Sequence, residues 1–460
     1  MIDFGSTYTK LTAVDLDTAQ VLATADDFTT ASTDVMIGFE KALKELQVKT
    51  GDITYEKRLA CSSAAGGLQM IACGLVPALT AKAAKLAAFG AGAKVIKTYA
   101  YELTKSDVDE IDQKNPDILL LTGGTDGGNR EVIEHNARML ATAKSAFPVV
   151  YAGNRASVDV CRDILHSDLH PVFTTDNVMP VLNKLNILPA QAVIRKIFLE
   201  KIISGKGLSQ EKGLIEGIIM PTPAAVLAAL TLLSEGTEKQ RGIGELVAVD
   251  LGGATTDIYS IAKGLPNNAS TVLHGLREPY AKRTVEGDIG MRYSAKGIIE
   301  AAGIEEVARI SGLSETTISE FLARIEEDKS IIPQTEEEIA MDYALAALAV
   351  RTGLIRHAGV LEQVYTPVGP AYQQVGKDLT EVSNIIVTGG ALIHSPDYQE
   401  IVREAVNVPD EQILIPRKAE VTKDKQYILS AMGLLATYHQ DTALKILINE
   451  FGKDGVYAAS

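Results

Sequence analysis

Leu246–Ile261 reads LVAVDLGGATTDIYSI. An apolar run ends at Asp250, Gly252 and Gly253 follow, and hydroxyls at Thr255 and Thr256 lead to a second carboxylate, Asp257. Ile258, Tyr259 and Ile261 restore β-branched and aromatic character, so the stretch predicts strand, tight glycine turn, strand. Glycine lets the backbone approach a ligand without a Cβ in the way. Successive amides in such a turn form a concavity suited to an anion. A carboxylate beside it suits hydrated Mg2+, which takes one or two carboxylates together with phosphate oxygens. The same residues also make a plain solvent-facing hairpin.

The layout recurs at the other end of the chain. Ile2–Leu11 (IDFGSTYTKL) again sets Asp, Gly, hydroxyls and a returning strand in order, with Lys10 seven positions after Asp3. A second recurrence accompanies it: Asp117–Thr125 is DILLLTGGT and Asn384–Ala391 is NIIVTGGA, each an apolar strand ending in Thr-Gly-Gly. Each half thus carries a hairpin and then a glycine-ended strand. Two similar domains facing one cleft follow, over residues 1–160 and 244–460. A mostly helical segment, 161–243, accompanies the first, and the polar, glycine-rich Gly236–Gly244 is the linker candidate.

These motifs resemble those of the actin, heat-shock chaperone and sugar-kinase superfamily of ATPases. DFGSTYTK (Asp3–Lys10) looks like its first phosphate loop, DLGGATTD (Asp250–Asp257) its second, and VTGGAL (Val387–Leu392) its adenosine motif. More narrowly, the chain is similar to the MutL/GlmL family, accessory ATPases encoded with cobalamin-dependent glutamate mutase and unrelated to the mismatch-repair protein sharing those letters. LTGGTDGGN (Leu121–Asn129), PTPAAV (Pro221–Val226) and RTVEGDIGMR (Arg283–Arg292) carry this closer match.

The resemblance implies an α/β fold: two ribonuclease-H-like domains, an actin-like ATPase fold, around a nucleotide cleft, with a helical addition. It implies ATP and Mg2+ as cofactors. Gly5, Ser6, Thr7, Lys10, Gly252, Gly253, Thr255 and Thr256 would meet the phosphates, and Gly389 and Gly390 would underlie adenine and ribose. Asp3 and Asp250 would hold hydrated Mg2+, and Asp250 or Asp257 would position the attacking water. The implied role is a cytoplasmic ATPase that acts as a chaperone, reactivating an adenosylcobalamin-dependent mutase (glutamate mutase or aminomutase type) by releasing damaged cobalamin. Two other uses of the same apparatus are a small-molecule kinase and an actin-like filament or scaffold ATPase.

Bulk composition agrees with this reading. The chain has 460 residues, enough for two cores, with 46% hydrophobic and 22% charged residues, as in ordinary globular proteins. A net charge of −15 opposes a nucleic-acid surface and an anionic membrane. A few amides, a lysine and a metal ion can still make a local anion site. Cys61, Cys73 and Cys161 show no CxxC spacing, which suggests buried thiols in a reducing compartment. No apolar run approaches the roughly 18–20 residues of a membrane span, and Asp3 interrupts the start against a secretory leader.

Elsewhere the pattern predicts a helix from Asp34 to about Gln47, capped by Ser32 or Thr33. Thr271–Gly275 is expected as a third strand after the second hairpin, and strand 385–388, helix 397–406, strand 412–415 and helix 426–439 as the β-α-β-α ending of the second domain. Leu59–Leu68 (LACSSAAGGL) reads as a closely packed turn, and Arg283–Gly290 as an acidic turn opening a helix.

Overall fold

The computed structural model describes residues 1–5, 7–29, 35–51, 53–63, 68–204, 218–268, 270–366 and 369–452. Ser6 and the expected cap residues Ser32 and Thr33 lie outside them. β1 (Ile2–Phe4), β2 (Tyr8–Asp15) and β3 (Gln20–Phe28) form an antiparallel meander. After helix α1 (Val35–Thr50), β4 (Ala60–Ser62) pairs with β1 in parallel.

The chain then leaves this sheet. β5 (Gln69–Gly74), β6 (Lys94–Ala100), β7 (Ile118–Leu121), β8 (Val149–Tyr151) and β9 (Val172–Thr174) make a separate, all-parallel sheet in the order β6-β5-β7-β8-β9. Helices α2 (Lys82–Gly90) and α6 (Leu188–Ser204) pack on one face; α3 (Lys105–Lys114), α4 (Glu131–Leu140) and α5 (Val158–Leu165) pack on the other. Burial on both faces explains why Ile118–Leu121 is apolar without alternation. β10 (Ile218–Pro221) returns to the first sheet beside β4, completing the order β10-β4-β1-β2-β3. Helix α7 (Thr222–Glu235) follows it.

The second half repeats the plan. β11 (Leu246–Leu251) pairs antiparallel with β12 (Thr256–Ile261), as the sequence predicts. A small sheet lies to the side, with β13 (Thr271–His274), β15 (Val360–Thr366) and β16 (Gly369–Val375). The third strand of the meander is β14 (Ala281–Glu286). Helices α8 (Ala295–Ala302), α9 (Ile304–Ser311), α10 (Glu315–Glu327) and α11 (Glu336–His357) precede β15. β17 (Asn384–Thr388) and β18 (Glu420–Lys423) then join parallel to β11, giving β14-β12-β11-β17-β18. The closing helices are α12 (Gly390–Ile393), α13 (Tyr398–Val406), α14 (Leu429–Ala436) and α15 (Gln440–Phe451).

Numbered within its own sheet, each half reads 3-2-1-4-5, with strands 1 to 3 antiparallel and 1, 4 and 5 parallel. This shared order makes both halves ribonuclease-H-like, so the duplication extends from the hairpins to the whole sheets. In the second sheet, Val247, Val249, Ile258 and Ile385 face α11 while Leu246, Ala248, Tyr259 and Ile386 face α7, α14 and α15.

Three expectations are corrected. DILLLTGGT forms β7 of the inserted parallel sheet, and the counterpart of β17 in the first sheet is β4, from LACSS. Both are buried parallel strands, and an apolar run does not say which sheet it enters. Residues 161–243 hold helices, as expected, and also contribute the edge strands β9 and β10 to two different sheets. Thr271–Gly275 enters the small sheet instead of the meander; the true third strand, AKRTVE, looks exposed but buries Lys282 and Arg283. Residues 412–415 run beside Gly359–Leu361 through Leu414 N to Gly359 O and Leu361 N to Gln412 O, leaving the polar Glu420–Lys423 as the sheet-edge strand.

Helix α7 follows the fifth strand of one sheet and α14 that of the other, and the two pack together between the sheets, with Ala225 and Leu434 against Leu59 and Cys61. They touch backbone to backbone, because a Cβ on Gly433 would overlap the carbonyl of Ala225. Alanine normally stabilises a helix interior over glycine by about 1 kcal/mol. Here Gly433→Ala is expected to destabilise by about 1–3 kcal/mol through overpacking. Urea unfolding decides the sign, and a stabilised variant would rule out the close seam.

Candidate active site

The ends of both hairpins converge on one cluster of charges. Asp3 sits on β1 opposite Lys10 of β2. Asp250 sits on β11 opposite Asp257 of β12 and beside Thr388 of β17. Asp3 is 6% exposed, accepting from Thr222 Oγ1 at 2.6 Å and from Ser430 Oγ at 2.8 Å. Thr222 opens α7 and Ser430 lies in α14, so one carboxylate grips the helices of both lobes.

Asp250 is half-buried and accepts no hydrogen bond among the described residues. Loss of hydration, then repulsion from Asp257, raises its pKa to about 6, against the pull of Lys10. Asp424, in the loop after β18, is also raised to about 6, chiefly by burial, although Ile428 N at 2.9 Å and Leu429 N at 3.3 Å donate to it. Lys10 Nζ stands 3.6 Å above the centroid of the Tyr427 ring, a cation–π contact. Asp257 is pinned at Oδ1 by Arg283, with Nε at 2.6 Å and Nη2 at 2.5 Å. Its Oδ2 has no partner among the described residues.

Asp3, Asp250, Asp257 and Asp424 therefore share two cations, Lys10 and Arg283. The surplus negative charge and the free oxygens of Asp250 suit a divalent cation. Among the described residues no group of three or more His, Cys, Asp or Glu side chains is arranged as a metal cage.

The glycine turns differ in how they are built. In the second, Gly252 N donates to Thr255 O at 3.0 Å, and the turn is backed by Met291 N to Gly252 O and by Arg292 N and Tyr293 N to Gly253 O. The amides of Gly253 and Ala254 have no acceptor among the described residues, which leaves two donors at the tip. Thr255 is half-buried beside them, whereas Thr256 is fully buried and donates to Ile289 O at 3.0 Å, a structural bond. In the first turn, Gly5 N donates to Tyr8 O at 3.0 Å and Thr7 is exposed. Gly389 has φ +89°, and a Cβ there would overlap the backbone of Leu251, so packing against β11 already demands glycine. Gly390 opens α12 and faces the Tyr427 hydroxyl.

Sequence reasoning missed Asp424, Tyr427, Ser430, Thr222 and Arg283 as parts of this cluster. Thr222 and Arg283 lie inside the PTPAAV and RTVEGDIGMR motifs, which marked their neighbourhood without a role. Asp424 sits in a polar run, KDKQY, that looks like any exposed loop.

A duplicated ribonuclease-H-like sheet closing on one carboxylate cluster is the architecture of the actin-like ATPase class. The chain belongs to the MutL family: the family model described as MutL protein matches residues 1–451. A relative from Clostridium tetanomorphum, Protein MutL, is 50% identical over 452 residues, covering 97% of each chain. Among solved structures, xylulose kinase from Bifidobacterium adolescentis aligns over 100% of this chain and 94% of its own, with TM-score 0.33 and 11% identity. The apo psk41 ParM protein aligns over 77% and 76%, with TM-score 0.20 and 12% identity. The assignment of the two lobes stands on the strand order.

The raised pKa of Asp250 has a sign in stability. Between its unfolded value, near 3.9, and about 6, the native state holds more protons than the unfolded one. Its contribution to stability therefore falls as pH rises through that window. Asp250→Asn is expected to stabilise the ligand-free protein more at pH 8 than at pH 5. Urea unfolding at both values is the check, and an equal change at each would mean that Asp250 is not strained by its charge.

Proposed function

We propose that this chain is an Mg2+-dependent ATP hydrolase that reactivates an adenosylcobalamin-dependent mutase of the glutamate mutase or aminomutase type, releasing damaged cobalamin by lobe motion. The observation that carries the ATPase reading is the four-carboxylate cluster between two like-folded sheets, fronted by the unpaired amides of Gly253 and Ala254. Membership of the MutL family, with its resemblance to accessory ATPases encoded with glutamate mutase, supports the client.

Phosphoryl transfer needs positioning and charge stabilisation more than a nucleophilic side chain. The amides of Gly253 and Ala254 and the hydroxyl of Thr255 hold phosphate oxygens, joined by the hydroxyls of Ser6 and Thr7 from the first turn, while Gly252 and Gly5, whose amides close their own turns, only let the backbone come close. Lys10 adds one positive charge. Asp3 and Asp250 would hold Mg2+ through water, and the ion, when bound, neutralises charge building on the phosphates. Asp250, whose pKa is raised to about 6, or the free Oδ2 of Asp257 orients the attacking water and takes its proton. Gly389 and Gly390 border the base and ribose. Asp3 is hydrogen-bonded to both α7 and α14, so a shift at the phosphates reaches the seam between the lobes.

Asp250→Asn is expected to lower phosphate release from Mg-ATP by about 100-fold or more while the protein stays folded. Unchanged turnover would remove Asp250 from the site. The client is tested by mixing the chain with inactivated mutase holoenzyme and ATP. Recovery of mutase activity, absent with Asp250→Asn, supports the proposal. Phosphate appearing on a small metabolite would instead identify a kinase.

A further inference from the structure

Arg283 is 4% exposed and touches more than the active site. Its Nε and Nη2 hold Asp257 Oδ1, while its Nη1 donates to the carbonyl of Phe89 at 3.1 Å and of Ala93 at 3.2 Å. Phe89 lies in the last turn of α2 and Ala93 immediately precedes β6, so both carbonyls belong to the inserted unit, at the turn between its helix and its sheet. A helix C-terminus attracts a cation through its unpaired carbonyls. The other end of α2 is gripped from the same lobe: Lys82 Nζ meets Glu278 Oε1 at 2.7 Å, and Lys282 Nζ meets Glu278 Oε2 at 2.5 Å. At the edge of this interface, a Cβ on Gly287 would stand 2.7 Å from Lys94 Cε. Strand β14 thus holds the carboxylate of the site on one flank and the insert on the other.

We propose that Arg283 is a positioning residue that couples Asp257 to the seating of α2, so that the nucleotide state of the cleft sets how the inserted sheet lies against the second lobe. The coupling rests on the ATPase reading above. Asp257 is tied through one oxygen and has the other free for water or nucleotide. Any displacement of that carboxylate pulls a planar guanidinium whose remaining nitrogen is tied to two backbone carbonyls. Guanidinium geometry is rigid, so the movement passes on instead of being absorbed by side-chain rotation. The partner of the device is the insert itself, a large surface attached to the ATPase core by this contact and its neighbours on β14.

Hydrogen exchange on the full chain tests the coupling, without nucleotide, with Mg-ADP and with Mg and a non-hydrolysable ATP analogue. In the wild type, the amides of Ala91, Gly92 and Ala93, which close the end of α2, are expected to exchange at rates differing at least about threefold between the nucleotide states. Arg283→Lys, whose single ammonium cannot hold both the carboxylate and the two carbonyls, is expected to bind nucleotide within about threefold of the wild type. It should lose about tenfold in kcat with little change in KM, and the difference in exchange should vanish. If Arg283→Lys does not fold, Asp257→Asn with Arg283→Gln, which removes both charges together, replaces it in the exchange measurement. A variant that binds nucleotide and keeps the wild-type exchange difference overturns the coupling. So does a wild type that binds nucleotide with no difference in exchange; the ATPase reading survives both results. A wild type that binds no nucleotide overturns the ATPase reading and the coupling with it.

Discussion

Asp3 is the interaction on which the rest of the molecule turns. It is a buried carboxylate with one hydroxyl from α7 on one oxygen and one from α14 on the other. Those helices follow the fifth strand of each sheet and meet backbone to backbone where Gly433 leaves room for Ala225. The duplicated halves are therefore held by an apolar seam with a charged clasp at its hairpin end. A buried charge is tolerated only when its oxygens are satisfied, so the clasp also fixes where the two helices begin relative to the hairpins.

Around that clasp the protein gathers more negative charge than it neutralises. Asp250 and Asp424 are both pushed up to about 6, the first by lost hydration and a facing Asp257, the second by lost hydration alone in the main. Such conflict costs stability in the empty protein and is usual where function needs it. A hydrated divalent cation and a triphosphate would rebalance the cluster, the cation by its charge and the phosphates by meeting Lys10 and the open amides. The cluster thus carries unrelieved charge, while the ordinary core residues of both sheets sit in consistent alternation.

The inserted parallel sheet is an addition to the two like-folded lobes. It enters after strand four of the first sheet and leaves into strand five, yet its most polar contacts are with the second half, through Arg283 and the Lys82–Glu278–Lys282 group. Covalently it belongs to one lobe and electrostatically it leans on the other. An element attached in that way would register any relative movement of the lobes.

The hairpins were legible in the sequence because their signals are local: acid, glycine, hydroxyls and a returning strand all lie within about ten residues, and the turn sets the register. The repeat of that pattern announced the duplication, and Asp3, Lys10, Asp250 and Asp257 do come together. The first Thr-Gly-Gly strand, Asp117–Thr125, misled, because continuous apolar runs mark any buried parallel strand. Asp424 and Arg283 were hidden for the opposite reason, being polar residues in stretches that look solvent-facing. The sequence by itself determined the two glycine hairpins, their carboxylates and the family. Only the tertiary structure decided which strands sit beside them, where the insert lies, and which charges are buried together, since those are settled by long-range packing between segments that carry no local mark of one another.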